Sequence, residues 1–191
     1  MKIFFFGGSF NPPHLGHKMI VDHCLDKCDK FILFPNFKSP DKNKIESTNP
    51  SHRLEMLKIM FKDYELEIDD HETKSETKSY TYKTIKYLKN KFINSDLTMV
   101  IGYDQLLNFN NWYESNKILD SVKILCFNRN NKSKKTHFMD KIKNINFVDD
   151  FNCDISSSYI RNNFTDIIKK ENNFLSSKIV DYIRRNNLYE F

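Results

Sequence analysis

Two histidines three residues apart, His14 and His17, close the run Gly7-Gly-Ser-Phe-Asn-Pro-Pro-His-Leu-Gly-His17. Imidazoles at that spacing lie on the same side of a helical turn. A helix that begins there presents unpartnered N–H groups and the positive end of its dipole. Such a mouth takes phosphate, and the two rings add hydrogen-bond donors for a polyphosphate. A zinc site would need further ligands that this segment lacks. A second cluster, Ile155-Ser156-Ser157-Ser158-Tyr159-Ile160-Arg161, sets serines at an expected helix start with a guanidinium one turn inside. That pattern is a second anion site, complementary to the first.

The frame that must hold these groups is read from the apolar runs. Ile3 to Phe6 is a short continuous run, as expected of a strand covered on both faces. Gly7 and Gly8 end it, where a chain turns sharply or lets a ligand come close. Pro12 and Pro13 stiffen the loop, and Leu15, Ile20, Val21, Cys24 and Leu25 carry a helical period. Phe31–Phe34 is a second strand, so the first 35 residues predict a βαβ unit with parallel strands. Further strands are expected at 65–68, 96–102, 122–127 and 145–148. Helices are expected from Ser51, with Ser51 as cap and Leu54, Leu57 and Met60 facing in, and from Ser79, capped by Ser79 or Thr81. The predicted fold is α/β, a Rossmann-like doubly wound parallel sheet of five to six strands with a C-terminal helical segment. One domain over 1–191 is expected, with 155–191 as its helical C-terminal part. In such a sheet the site lies at the carboxyl ends of the strands. Gly102 and Asp104, just past the fourth strand, are placed there, the acid suited to ribose hydroxyls.

Composition narrows the partners. Hydrophobic residues make up 39% and charged residues 29%, a globular rather than a disordered balance. Thirty Lys and Arg against 25 Asp and Glu give a net charge of +5, which suits anionic ligands. The charge is not clustered as a nucleic-acid footprint would be, and the basic run at 130–135 reads as a solvated loop. No stretch approaches a membrane span, and Phe4–Phe6 is too short for a signal-peptide core. A cytoplasmic protein with no nucleic-acid or membrane partner is therefore expected. Cys24, Cys28, Cys126 and Cys153 show no Cys-x-x-Cys spacing and read as reduced structural thiols. Oligomeric state stays open.

The run from Gly8 to His17 resembles the G-[TS]-F-D-P-x-H-x-G-H signature of the nucleotidyltransferase superfamily, with Asn11 in place of the usual aspartate. The second cluster is similar to that superfamily's I-S-[AS]-[TS]-x-[IV]-R. Three further stretches resemble the bacterial-type nicotinate mononucleotide adenylyltransferases: Ser79-Tyr-Thr81, Ile101-Gly-Tyr-Asp-Gln-Leu-Leu-Asn-Phe-Asn-Asn-Trp-Tyr113, and the closing Val180-Asp-Tyr-Ile-Arg-Arg-Asn-Asn-Leu-Tyr189. Pro35-Asn-Phe-Lys-Ser-Pro-Asp-Lys42 matches the family's P-N-x-x-P-P-H-[KR] more loosely, with Asp41 at the histidine and Ser39 at a proline.

The resemblance implies transfer of an adenylyl group from ATP to nicotinate mononucleotide, with pyrophosphate leaving. It implies His14, His17 and Arg161 as catalytic. It implies Gly7, Gly8, Ser9, Phe10, Lys42, Gly102, Asp104, Arg129, Ile155, Ser156 and Ser157 on ATP. It implies Ser79, Tyr80, Thr81, Trp112 and Tyr113 on the pyridine nucleotide, with the Ser79–Thr81 backbone and hydroxyls on the nicotinate carboxylate and Trp112 stacked on the ring. Mg²⁺ would travel on the ATP phosphates, without confident protein ligands. Which of Lys38, Lys42 and Lys44 reaches phosphate, and whether 36–50 and 69–79 act as lids, stay open. Nicotinamide mononucleotide, phosphopantetheine or FMN as acceptor, or nucleotide sensing without turnover, are the alternatives.

Overall fold

The computed structural model describes residues 1–40, 48–128, 144–151, 153–169 and 173–189. Its strands are β1 (Lys2–Gly8), β2 (Lys30–Pro35), β3 (Glu67–Ile68), β4 (Asp96–Gly102), β5 (Lys123–Phe127) and β6 (Ile145–Val148). They form one six-stranded sheet in the order β3-β2-β1-β4-β5-β6. Every pairing is parallel, with Phe6 beside Leu33 on one flank and Val100 on the other. The order reverses between β1 and β4, which opens a crevice at their carboxyl ends.

The apolar runs earn their continuity by facing a core on each side. Phe4, Phe6, Phe31, Leu33 and Val100 join one buried cluster, while Ile3, Phe5, Ile32, Phe34, Met99 and Ile101 join the other. Successive strand residues point to opposite faces, so a strand buried on both must be apolar throughout. Helices α1 (Leu15–Cys24) and α2 (Pro50–Met60) cover the first face with α7 (Ser157–Asn162), α8 (Phe164–Lys169) and α9 (Ser177–Arg185). Helices α4 (Thr81–Lys91), α5 (Tyr103–Leu107) and α6 (Ser115–Leu119) cover the second. A single turn, α3 (His71–Lys74), occupies the polar 69–79 stretch.

Several local expectations shift. Asn49, not Ser51, caps α2: its side chain accepts from the Ser51 N–H at 3.0 Å, with Pro50 in the first turn. The fully buried ridge of α2 is Arg53, Met56 and Leu57, with Leu54 and Met60 only half-buried. Helix α4 is flanked by Tyr80, with no side-chain cap, so neither Ser79 nor Thr81 does that work. Gly7 and Gly8 are not the turn but the last residues of β1, and no glycine has positive φ. The left-handed residue in the loop after β1 is Phe10, at φ 48°.

None of the four cysteines is paired. Burial pushes the Cys24 and Cys126 thiols up to about 12, so they stay protonated. No helix among the described residues is long and apolar enough to cross a membrane.

Candidate active site

A cavity of about 640 Å³ opens where β1 and β4 diverge. The residues from both sequence clusters meet there. Gly7, Gly8, Ser9, Phe10, His14, His17, Gly102, Asp104, Ser156, Ser157 and Arg161 line it. Ser79, Tyr80, Thr81, Trp112 and Tyr113 form another part of its wall. Ile155 is not among the lining residues, and its side chain is buried in the core. Lys42 and Arg129 lie outside the described residues.

The floor is open because two strand ends lack side chains. A Cβ at Gly7 or Gly102 would meet nothing within 4 Å, which leaves room for a ligand against the backbone. Gly8 has a different reason. A Cβ there would come within 3.1 Å of the Phe10 ring, which packs over β1 with only 1% exposure.

The histidines are built into the start of α1. His14 is the N-cap, and its Nδ1 accepts from the Gly16 N–H at 3.2 Å. His17 reaches back, its Nδ1 accepting from the His14 N–H at 3.1 Å. This is a capping box made of two imidazoles. With both Nδ1 atoms accepting, each neutral ring carries its proton on Nε2. The rings lie 3.8 Å apart, and His17 packs edge-on against Phe10 at 5.0 Å. Gly16 is required by this packing. A Cβ would come 2.7 Å from Cys153 Sγ and 3.1 Å from the His14 ring.

The second cluster is clasped to the first. Ser156 caps α7, accepting from Tyr159 N–H at 3.1 Å. Ser157 Oγ donates to Pro12 O at 2.9 Å, and Arg161 donates to Asn11 O at 2.6 Å and Ser158 Oγ at 3.2 Å. The Asn11–Pro12 bond is cis, and the Tyr189 hydroxyl donates to Asn11 Oδ1 in a buried contact. The asparagine at the usual aspartate position therefore keeps an acceptor where the loop needs one.

On the far wall, Trp112 rests against Phe109, with ring centroids 5.0 Å apart at 36°. It is half-buried, so it is a core neighbour and a cavity wall at once. Tyr113 is 52% exposed at the rim, 5.1 Å from the Tyr80 ring. The Ser79 hydroxyl is engaged within the protein, accepting from Phe37 N–H at 3.0 Å.

Arg53 was not singled out by the sequence patterns. It is fully buried beneath the site. Its guanidinium donates to Ser9 O at 2.7 Å, to Asn36 O at 2.7 Å and Oδ1 at 3.2 Å, and to Phe37 O at 3.1 Å. One planar fork thus ties the loop after β1 to the loop after β2. An arginine on the apolar ridge of a helix was the available signal.

Strand order, the switch-point cleft and the two helix starts that meet in it are those of a Rossmann-like α/β nucleotide-binding fold. The Cytidylyltransferase-like family matches residues 5–163. A probable nicotinate-nucleotide adenylyltransferase of Hydrogenobaculum sp. is 35% identical, covering 99% of this chain and 98% of its own. The nicotinate-nucleotide adenylyltransferase of Bacillus subtilis is 31% identical, covering 99% and 98%. The chain belongs to this family of nucleotidyltransferases. Its fold matches that of the Plasmodium falciparum nicotinic acid mononucleotide adenylyltransferase complexed with NaAD. The TM-score is 0.82 at 23% identity, over 100% of this chain and 98% of the other.

Proposed function

We propose that this chain transfers the adenylyl group of ATP to nicotinate mononucleotide, giving nicotinate adenine dinucleotide and pyrophosphate in NAD biosynthesis. The observation that carries the reading is a single cleft holding the imidazole pair at one wall and an uncapped eleven-residue helix start at another. An acceptor phosphate oxygen bonds to the α-phosphorus of ATP, and the bond from that phosphorus to the bridging oxygen breaks. The nucleophile is already anionic, so the cleft need only position the reactants and stabilise charge.

In this reading the Nε2–H groups of His14 and His17 donate to the phosphate where charge gathers. Arg161, with the Ser157 hydroxyl and Ser156 beside it, faces the leaving pyrophosphate. Gly7, Gly8, Ser9, Phe10 and Gly102 give the nucleotide backbone-lined space, and Asp104 accepts from ribose hydroxyls. The backbone N–H groups at the start of α4 take the nicotinate carboxylate, because the helix dipole favours negative charge there. The pyridine ring lies on Trp112, with Tyr113 and Tyr80 at its rim. The Ser79 hydroxyl, at the same wall, also supports the loop after β2.

Mg²⁺ fits as a cation carried by ATP oxygens and water. Among the described residues no three His, Cys, Asp or Glu side chains gather as a metal cage. Bound, it would neutralise phosphate charge. The reading places the enzyme in the cytoplasm with small nucleotides as partners. Its test is the product: mass spectrometry after incubation with ATP, Mg²⁺ and nicotinate mononucleotide should show the deamido dinucleotide, and its absence would reject the assignment.

A further inference from the structure

Glu72 in α3 lines the acceptor side of the cleft, yet the reaction as described gives it no task. Thr84, buried in the first turn of α4, donates its hydroxyl to Glu72 Oε1 at 2.5 Å. The Ser79 hydroxyl, before the helix, accepts from Phe37 N–H at 3.0 Å and so ties that residue to the loop after β2. Glu72 therefore holds the first turn of α4 through Thr84, just past Tyr80 and Thr81, the two residues at which α4 begins.

We propose that Glu72 is a positioning residue whose carboxyl clamps Thr84, and so sets the N–H groups at the start of α4 that receive the acceptor's carboxylate. This rests on the acceptor site of the proposed function. The clamp is needed because no side chain caps that turn. Residues at an uncapped helix start fray unless something else holds them. Burial raises the Glu72 carboxyl, against the Thr84 and Ser79 hydroxyls and the His71 charge, while Asp69 pushes the same way as burial. The Thr84 hydroxyl bond thus keeps an acid in a place that disfavours its charge.

A second role, that of a plain negative wall, makes the opposite prediction. Removing such a charge would favour an anionic acceptor over a neutral one. Removing a clamp would weaken the anionic acceptor selectively.

Steady-state kinetics on Glu72→Gln, Thr84→Val and the double variant decide between them, with nicotinate and nicotinamide mononucleotides and ATP varied in turn. The clamp predicts that each single variant raises KM for the acid roughly tenfold, the scale of a disrupted buried hydrogen bond. KM for ATP should stay within about twofold, the acid-over-amide preference should fall, and the double variant should be no worse than the worse single one. If Glu72→Gln does not fold, Glu72→Asp, which keeps the charge but shortens the reach, should show the same selective rise. An unchanged KM for the acid, or a stronger acid preference, overturns the clamp while wild-type acid preference keeps the functional reading standing. A wild type that ignores the acid overturns both.

Discussion

The His14 backbone N–H donates to His17 Nδ1 at 3.1 Å, while His14 Nδ1 accepts from Gly16 N–H at 3.2 Å. The same imidazoles that face the cleft also close the first turn of α1. Their tautomers, and with them the direction of their remaining N–H groups, are fixed by the fold before substrate arrives.

Catalysis and capping can be separated at His17. Glutamine can also serve as the side-chain acceptor at the third position of a capping box. His17→Gln should therefore keep thermal stability near wild type while lowering kcat by ~10²–10³, the loss typical of one transition-state donor. His17→Ala should lose the same activity and, in addition, about 1 kcal/mol of stability. Near-normal turnover in His17→Gln would remove the residue from the chemistry.

Gly16 is read as a packing requirement of the histidine cap. Gly16→Ala should cost ~1–3 kcal/mol through overpacking and lower kcat as the His14 ring shifts. Adding Cys153→Ala removes the atom 2.7 Å from the new Cβ and should recover part of both losses. Additive losses in denaturant unfolding would contradict that contact.

Arg53 offers a prediction about the floor. Arg53→Met strands the carbonyls of Ser9, Asn36 and Phe37 in the interior, so stability should fall by roughly 3 kcal/mol or more. Arg53→Lys keeps the charge but not the fork and should fall between. Chemical denaturation measures both, and a loss under about 0.5 kcal/mol in Arg53→Met would refute the tie.

Acid sensitivity should arise at the β3 edge. Burial alone would raise the Asp69 carboxyl, but hydrogen bonds from Lys91, the His71 amide and Tyr87 outweigh it and hold it below its ordinary 3.8. A depressed carboxyl stabilises the fold above its ordinary value, and that stability is lost as pH falls through the folded one. Lys91→Met should lower Tm at neutral pH, and the gap from wild type should close below about pH 4. A gap independent of pH would show that Lys91 acts through packing alone.

The sheet was readable because a strand buried on both faces must be an unbroken apolar run, and Ile3–Phe6 and Phe31–Phe34 are such runs. The two clusters that meet at the cleft were readable because the residues of each are adjacent in sequence. Contacts between distant segments were not. Ser79 looked like a helix cap, but its hydroxyl answers Phe37, forty-two residues earlier. Asn49 and Ser51 are both good caps, and Pro50 in the first helical turn was the clue that favoured Asn49. The glycines drew attention as a turn, whereas the chain bends at Phe10, a residue whose type hides its left-handed backbone. Arg53 was hidden because its charge argues for the surface, and only the three carbonyls gathered around it explain its burial.

A helix start that recognises an acid sets the choice of acceptor. Its most direct test is pyrophosphate release from ATP and Mg²⁺ with nicotinate and nicotinamide mononucleotides compared side by side. The kcat/KM for the acid should be at least about tenfold higher, the scale of one good charge–dipole contact in a partly buried site. Equal use of both acceptors, or preference for the amide, would contradict it.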